Sequence, residues 1–311
     1  MRVAFFGTPA YAVPTLDRLL QGPHEVVAVV CQPDRRRGRG RTTQPAPVAA
    51  RALERDLFLL RPPRVGEEEV AFALAERAPD IGVVVAFGQF IPKRIRELPT
   101  AGYLINGHAS LLPRHRGAAP IQHAILAGDR ETGVSVMRVE REMDAGAVAL
   151  ERRISIGADE DAGSLSARLS ELTAEAIADA LLRIASGTVS WSEQDHAAAT
   201  LAPKIETEHA RLDWSQSAVV LARVVRAMAP DPGAFCEQNE ERLRILASRA
   251  EEVSTSLPPG TVDYDEAGNL RIATGSGFLY PLILQRPGKK ALPAPVFLRG
   301  RTLPAGSRLG G

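Results

Sequence analysis

An amide, an imidazole and a carboxylate fall within one stretch of the chain, at Asn106, His108 and Asp144. Asn106 and His108 lie two apart, just after the short apolar run Tyr103-Leu104-Ile105. That run reads as a buried strand with Asn106-Gly107-His108 at its carboxyl end, where ligands gather in open α/β sheets. In extended chain, residues two apart project to the same side, so amide and imidazole can converge on one reacting atom. Asp144 follows a second apolar run, Thr132 to Val139, in a turn closed by Gly146. The chemistry on offer is proton transfer at the imidazole, oriented by the carboxylate, with the amide N–H ready for a developing oxyanion. Each residue alone has an ordinary reading. A histidine at a strand end usually makes a structural hydrogen bond, and Asn or Asp beside Gly is common turn chemistry.

The elements that must position this set follow from pattern. Arg2 to Phe6 reads as a buried strand ending at Gly7, and residues 10 to 21 carry apolar side chains at helical spacing. Val26 to Cys31 is a second strand. Strand, turn, helix, strand is one βαβ unit and predicts a parallel sheet. Pro47 to Asp56 and Glu67 to Arg77 read as helices, Leu57 to Leu60 as a short strand, and Ile81 to Ala86 as a buried strand opening into Phe87-Gly88. Pro120 to Ala127 is a short helix, and Gly133 to Val139 and Val148 to Ile156 are strands flanking the Asp144 turn. Ser164 is placed to cap a helix running to Ala185. Residues 187 to 208 show little periodicity and read as a linker. A helix from Ser217 to Met228 and several short alternating runs with Gly and Pro turns then predict a small β-barrel. The expected architecture is α/β, a Rossmann-like, mostly parallel sheet with helices on both faces, followed by that barrel. The expected division is 1–187, a linker 188–208, and 209–311.

Composition narrows the function classes. The chain has 311 residues, 45% hydrophobic and 24% charged, which suits two ordinary globular domains. Formal net charge is +1, so any contact with nucleic acid must come from a local cluster. One such cluster lies in the loop 34–44, where Asp34 is followed by Arg35, Arg36, Arg37, Arg39 and Arg41, interrupted by Gly38 and Gly40. It reads as a solvated loop or as a basic arm for phosphates. Only Cys31 and Cys236 are present, far apart and without metal-ligand spacing, which fits a reducing, cytoplasmic setting. The start lacks the pattern of a secretory leader, and no apolar run approaches the roughly 20 residues that span a bilayer. The first turn reads Gly7-Thr8-Pro9-Ala10 rather than GxGxxG, and Pro9 removes a donor that a dinucleotide phosphate would need, so NAD binding is disfavoured.

The combined motif is more specific than its parts. Asn106-x-His108, then Ser110-Leu111-Leu112-Pro113, then Arg116-Gly-Ala-Ala-Pro-Ile-Gln122, then Met143-Asp144-x-Gly146 resembles the formyltetrahydrofolate-dependent formyltransferases, and among them the branch acting on methionyl-tRNA. The resemblance runs from Gly7-Thr8-Pro9 to Phe297-Leu298-Arg299-Gly300. It implies Asn106, His108 and Asp144 as catalytic residues and 10-formyltetrahydrofolate as donor. It puts Ser110 to Pro113, together with Ala86, Phe87 and Gly88, at the folate site. It implies initiator methionyl-tRNA as acceptor and no metal, no membrane and no obligatory protein partner, so a monomer is expected. For tRNA it implies the arginine loop (Arg36, Arg37, Arg39, Arg41) and the barrel, where Arg286, Lys289 and Lys290 cluster. His115 falls outside the catalytic set; with Arg114 and Arg116 it is placed to extend an RNA surface. The Ser110 to Pro113 segment also reads simply as a tight turn, and its Leu112–Pro113 bond is open to either isomer. Relatives that formylate a purine-pathway amine or an amino sugar nucleotide share the central motif, so the acceptor is less sharply implied. A non-catalytic RNA-binding protein is the alternative of another class.

Overall fold

The computed structural model describes residues 1–37 and 42–310. They divide into two compact units. The first comprises Met1–Pro120, Glu131–Ser155 and Ser166–Pro203; the second comprises Ile121–Arg130, Ile156–Leu165 and the chain from Lys204 onward.

In chain order the elements begin β1 (Arg2–Gly7), α1 (Val13–Gln21), β2 (Glu25–Val30), β3 (Arg35–Arg37), β4 (Thr42–Gln44), α2 (Pro47–Glu54) and β5 (Leu59–Leu60). They continue α3 (Glu68–Glu76), β6 (Ile81–Val85), α4 (Lys93–Arg96), β7 (Leu104–His108), α5 (Pro120–Ala127), β8 (Glu131–Arg138), β9 (Val148–Ser155) and α6 (Ala162–Ala185). Seven strands form one sheet in the order β5-β2-β1-β6-β7-β8-β9. The pairings from β5 to β7 are parallel, and β8 and β9 add antiparallel. β1 and β6 are nearly or wholly buried, as strands covered on both faces must be, which explains their unbroken apolar runs. The order reverses at β1, so a switch point lies between the carboxyl ends of β1 and β6. Thr8 Oγ1 and Gln32 Nε2 both donate to the Phe87 carbonyl there, at 3.0 and 2.9 Å, tying the ends of β1, β2 and β6 together. Gly7 serves close packing: a Cβ on it would lie 2.8 Å from Phe5 Cε1 and 2.9 Å from Ala12 Cβ.

β7 alternates as expected. Leu104, Asn106 and His108 share one face, and Gly107 turns to the other, where a Cβ would meet Thr173 Cγ2 of α6 at 2.6 Å. Gly107 therefore lets α6 pack tightly behind the strand that carries Asn106 and His108.

Three local readings need correction. The arginine stretch was expected to form no regular element, yet Arg35–Arg37 and Thr42–Gln44 pair antiparallel as a hairpin. Pairing along the backbone asks nothing of side-chain hydrophobicity, which is why composition missed it. The cap of α6 is Asp161, not Ser164: Asp161 Oδ1 accepts from the Ser164 backbone N–H at 2.8 Å and also from the Ser164 hydroxyl. Either residue type caps well, and the helix starts one turn earlier than its apolar stripe. Residues 188–203, read as linker, bond to the first unit: Ser192 pairs with Val148, and Thr200 and Ala202 pair with the backbone around Arg116.

The second unit adds α7 (Ala218–Met228), β10 (Ala234–Gln238), β11 (Glu241–Glu251), β12 (Val262–Tyr264), β13 (Leu270–Ala273), β14 (Phe278–Gln285), β15 (Leu292–Pro293) and α8 (Ala294–Gly300). The sheet is antiparallel, in the order β10-β11-β14-β13-β12, with β15 on β14. The C-terminal residues link its two edges. Gly310 exchanges two hydrogen bonds with Glu237 of β10, and Val262 of β12 donates to Ser307 O at 2.8 Å. The alternating short runs thus form a curled, barrel-like sheet.

A candidate active site at the end of the central strand

His108 is 6% exposed, held at one ring nitrogen and flanked by a carboxylate at the other. Its Nε2 lies 2.9 Å from the His115 carbonyl oxygen, and its Nδ1 lies 3.5 Å from Asp144 Oδ2. A carbonyl oxygen only accepts, so Nε2 carries a hydrogen. In the neutral imidazole, Nδ1 is then the bare nitrogen, and it faces the carboxylate. A proton arriving at Nδ1 would be stabilised by Asp144 at once.

Asp144 is fixed by its backbone and by a donor. It adopts φ 52°, in the left-handed region that Asp tolerates better than most residues. Its Oδ2 accepts the Gly117 backbone N–H at 2.8 Å. Gly117 has φ 131°, and a Cβ there would lie 2.5 Å from the Ala202 carbonyl oxygen, so only glycine brings this N–H to the carboxylate. His115 has φ 60° and Ala86 φ 46°. Two of the seven non-glycine residues with positive φ among the described residues thus lie in the proposed catalytic or folate segments, and a third, His115, holds His108 through its carbonyl. Clustered backbone strain of this kind is characteristic of functional sites.

Asn106 stands two residues before His108 on the same face of β7, between Val84 of β6 and Met137 of β8. It is half-buried, and among the described residues none hydrogen-bonds its side-chain amide. The structure therefore brings His108 and Asp144 together and sets a free amide on the same strand face.

The proposed folate residues divide by exposure. Ala86 and Gly88 are exposed at the end of β6, two and four residues beyond Val84, the partner of Asn106. Phe87 turns inward, 2% exposed, and meets Phe6 edge-on at 5.7 Å. Ser110 is buried and its hydroxyl donates to the Arg114 carbonyl at 2.6 Å, closing the turn. Ser135 of β8 donates to Ser110 O at 2.8 Å and accepts from Leu112 N at 3.0 Å, fastening that turn to the sheet. Leu112 is buried, Leu111 and Pro113 are partly exposed, and the Leu112–Pro113 bond is cis.

The basic residues fare differently. Arg39 and Arg41 lie outside the described residues. Arg36 and Arg37 belong to β3. Arg286 is paired with Glu241, Nη2 to Oε1 at 3.0 Å, and Arg301 binds the same carboxylate. Those two arginines hold the Glu241 carboxyl below the usual carboxylate range. Lys289 and Lys290 are exposed on the turn after β14. The expectation that Arg114, His115 and Arg116 together extend an RNA surface is corrected. Arg114 is exposed, but His115 and Arg116 are 7% and 6% exposed and serve the site from inside.

Sequence reasoning missed Gln194. It is buried in the segment read as linker, and its Nε2 donates to the carbonyls of Asp144 and Gly146 at 2.9 and 2.8 Å. Its Oε1 accepts from Arg116 Nε and Nη2 at 3.1 and 2.7 Å. Thr200 was missed too; its hydroxyl accepts the His115 N–H at 2.8 Å and steadies the carbonyl that holds His108. Only the polar character of Gln194 and Thr200 in an otherwise aperiodic stretch hinted at this. Among the described residues no group of three or more His, Cys, Asp or Glu could hold a metal ion. No described helix is long and apolar enough to cross a membrane.

Comparison with known proteins decides the family. The formyl transferase model matches residues 1–181, and the model of the formyl transferase C-terminal domain matches residues 204–302. The methionyl-tRNA formyltransferase of Ruegeria pomeroyi is 44% identical over 309 residues, covering 99% of this chain and all of that protein. The chain belongs to the methionyl-tRNA formyltransferase family. Solved structures extend the likeness to the fold. An N-formyltransferase from Helicobacter canadensis, in complex with folinic acid and dTDP-3-aminofucose, superposes with a TM-score of 0.67 at 16% identity, covering 90% of this chain and 97% of that one. HypX from Aquifex aeolicus, in complex with tetrahydrofolic acid, superposes at 0.61 with 20% identity, covering 96% of this chain. This chain spans about half the length of HypX, 47%.

Within a formyltransferase of this geometry, Gln194→Ala is expected to lower kcat about tenfold to a hundredfold, the cost of letting the carboxylate beside His108 drift by about an ångström. Donor affinity should hold. Steady-state kinetics with wild-type kcat in a folded Gln194→Ala protein would show that the clamp is dispensable.

Proposed function

We propose that the protein moves a formyl group from 10-formyltetrahydrofolate to the α-amine of methionine esterified to initiator tRNA, giving formylmethionyl-tRNA for translation initiation. The observation that carries this reading is the His108 imidazole, committed as a donor at Nε2 and open at Nδ1 beside the Asp144 carboxylate. Membership of a family whose relatives carry that name supports the acceptor, and neighbours solved with folate compounds support a folate-derived donor.

The roles follow from position. Asn106 offers its amide N–H to the formyl oxygen as the amine attacks the carbon. A new C–N bond forms, and the carbonyl π pair moves onto that oxygen. One such preorganised donor is worth roughly 3–4 kcal/mol in comparable sites. His108 Nδ1 takes the proton that the attacking nitrogen must lose. Asp144 stabilises the resulting imidazolium and, through Gly117 and Gln194, keeps its own place. His108 then returns the proton to the departing nitrogen, N10, as the C–N10 bond breaks and its pair goes to that nitrogen. The carbonyl re-forms, and no net proton is consumed. Ala86 and Gly88, exposed at the neighbouring strand end, present backbone groups suited to the polar edge of a flat ring, and Leu111 and Pro113 present apolar surface. The arginine stretch 35–41 and the barrel lysines 289 and 290 supply charge for the tRNA backbone.

The reading is tested by a formyl-transfer assay offering three acceptors, initiator methionyl-tRNA, a purine-pathway amine and an amino sugar nucleotide. Transfer to the tRNA is expected to dominate. Preference for either small acceptor would replace this reading, and tRNA binding without transfer to any would favour an RNA-binding protein.

A further inference from the structure

Residues 188–203 are fastened to the rest of the first unit at both ends. Upstream, Ser192 pairs with Val148, and the Arg138 guanidinium lies over the rings of Trp191 and Tyr103 at 4.4 and 4.5 Å. Downstream, the Arg116 N–H donates to Thr200 O at 2.8 Å, and the Ala202 N–H donates to Arg116 O at 2.7 Å. Arg116 is buried, and its side chain reaches two residues lying between these fastenings. Nε and Nη2 donate to Gln194 Oε1 at 3.1 and 2.7 Å, and Nη2 also donates to His196 Nδ1 at 3.2 Å. A guanidinium only donates, so that Nδ1 is bare and the His196 hydrogen sits on Nε2.

The Arg116 fork decides how Gln194 is turned. The two ends of a glutamine amide have nearly the same shape, and the hydrogen bonds around them choose the orientation. On one side Arg116 offers donors alone. On the other, Asp144 and Gly146 offer carbonyl oxygens, 2.9 and 2.8 Å from Nε2. Turned over, the amide would set N–H against N–H and oxygen against oxygen. A buried guanidinium that loses its acceptors is costly, so Arg116 holds the Gln194 oxygen firmly. The other end of the amide then ties together the two carbonyls that flank Ala145, across the turn in which Asp144 keeps φ 52°. From that turn Asp144 Oδ2 reaches the Gly117 N–H and faces His108 Nδ1. Gly117 follows Arg116 directly in the chain. Arg116 thus governs the carboxylate from two sides, the turn behind it through Gln194 and the N–H before it through the backbone.

We propose that Arg116 is a positioning residue for Asp144: its fork orients the Gln194 amide, Gln194 holds the turn, and His196 Nδ1 steadies the fork from the exposed side. The role rests on Asp144 serving His108 as proposed above. Arg116 itself takes no part in proton transfer.

The test is steady-state formyl transfer by the full chain, with the melting temperature read alongside. Arg116→Lys keeps the charge but replaces a planar fork with a point donor, so kcat is expected to fall about tenfold or more while the KM for the folate donor holds. In Gln194→Ala the fork has no amide left to orient, so adding Arg116→Lys should cost less than about twofold further. An arginine that only stabilised the fold would multiply its loss onto that of Gln194→Ala. His196→Ala changes an exposed side chain and is expected to slow kcat about twofold to fivefold, and His196→Asn, which returns an acceptor near the place of Nδ1, to restore it. Asp144→Asn separates this role from the reading beneath it. A slow Asp144→Asn beside Arg116→Lys at wild-type kcat, or losses that multiply in the double variant, would overturn the positioning role alone. Asp144→Asn as fast as wild type would remove both. Should Arg116→Lys fail to fold, the His196 pair decides: loss in His196→Ala with recovery in His196→Asn sustains the role, and wild-type kcat in His196→Ala overturns it.

Discussion

His108→Ala is expected to lower kcat by about 10²–10⁴, the range general acid–base catalysis supplies, while donor affinity and the folded state persist. The size of the effect follows from the double duty assigned to one ring. The imidazole takes a proton from the attacking nitrogen and returns one to the leaving nitrogen, so its loss slows both halves. The location of the effect follows from the hydrogen bonds. Nε2 is bound to the His115 carbonyl and cannot also serve the substrate, which leaves Nδ1, backed by Asp144, as the working atom. His108→Gln makes a sharper companion: its amide can restore a hydrogen bond to the His115 carbonyl but cannot cycle a proton. Both variants should therefore be slow while melting near wild type. A loss below tenfold in single-turnover transfer would remove His108 from the chemistry.

Asn106→Ala is expected to cost about 10²–10³ in kcat, the measured weight of one oxyanion donor. Its amide is half-buried and none of the described residues hydrogen-bonds it, so truncation orphans no protein group and stability should move by only about 0.5 kcal/mol. A large kinetic loss with a small stability change would mark a group that meets the reacting atoms. Asn106→Asp sharpens the test: it keeps the shape, removes the donor, and sets a negative charge where another must develop. It should be at least as slow as Asn106→Ala. Equal kcat in all three proteins would mean that the oxyanion is stabilised elsewhere.

Much of the fold was legible because buried parallel strands advertise themselves. Val3 to Phe6, Val27 to Val30 and Ile81 to Val85 are unbroken apolar runs, and covering both faces of a sheet requires that. The two-residue spacing of Asn106 and His108 carried their shared orientation directly. What the sequence did not disclose depends on partners distant in the chain. Gln194 looks like any polar residue in an aperiodic segment; its role exists only once Arg116 and the Asp144 turn flank it. Arg116 looked like surface charge beside Arg114, since nothing local marks an arginine as buried when its partner lies 78 residues on. The β3–β4 hairpin escaped for another reason: its strands are short, one all arginine and the other Thr-Thr-Gln, and they pair through the backbone, which leaves no apolar pattern to read.

The pocket around His108 is assembled from four separated stretches, ending with the one that holds Gln194 and Thr200. This has a consequence for biosynthesis. Translation runs at about 5–20 residues per second, so Thr200 leaves the ribosome roughly 5–20 seconds after His108. During that interval the nascent chain has the imidazole but not the residues that anchor its neighbours. A polypeptide interrupted near residue 187 would carry every strand of the seven-stranded sheet and still be unable to finish the pocket around His108.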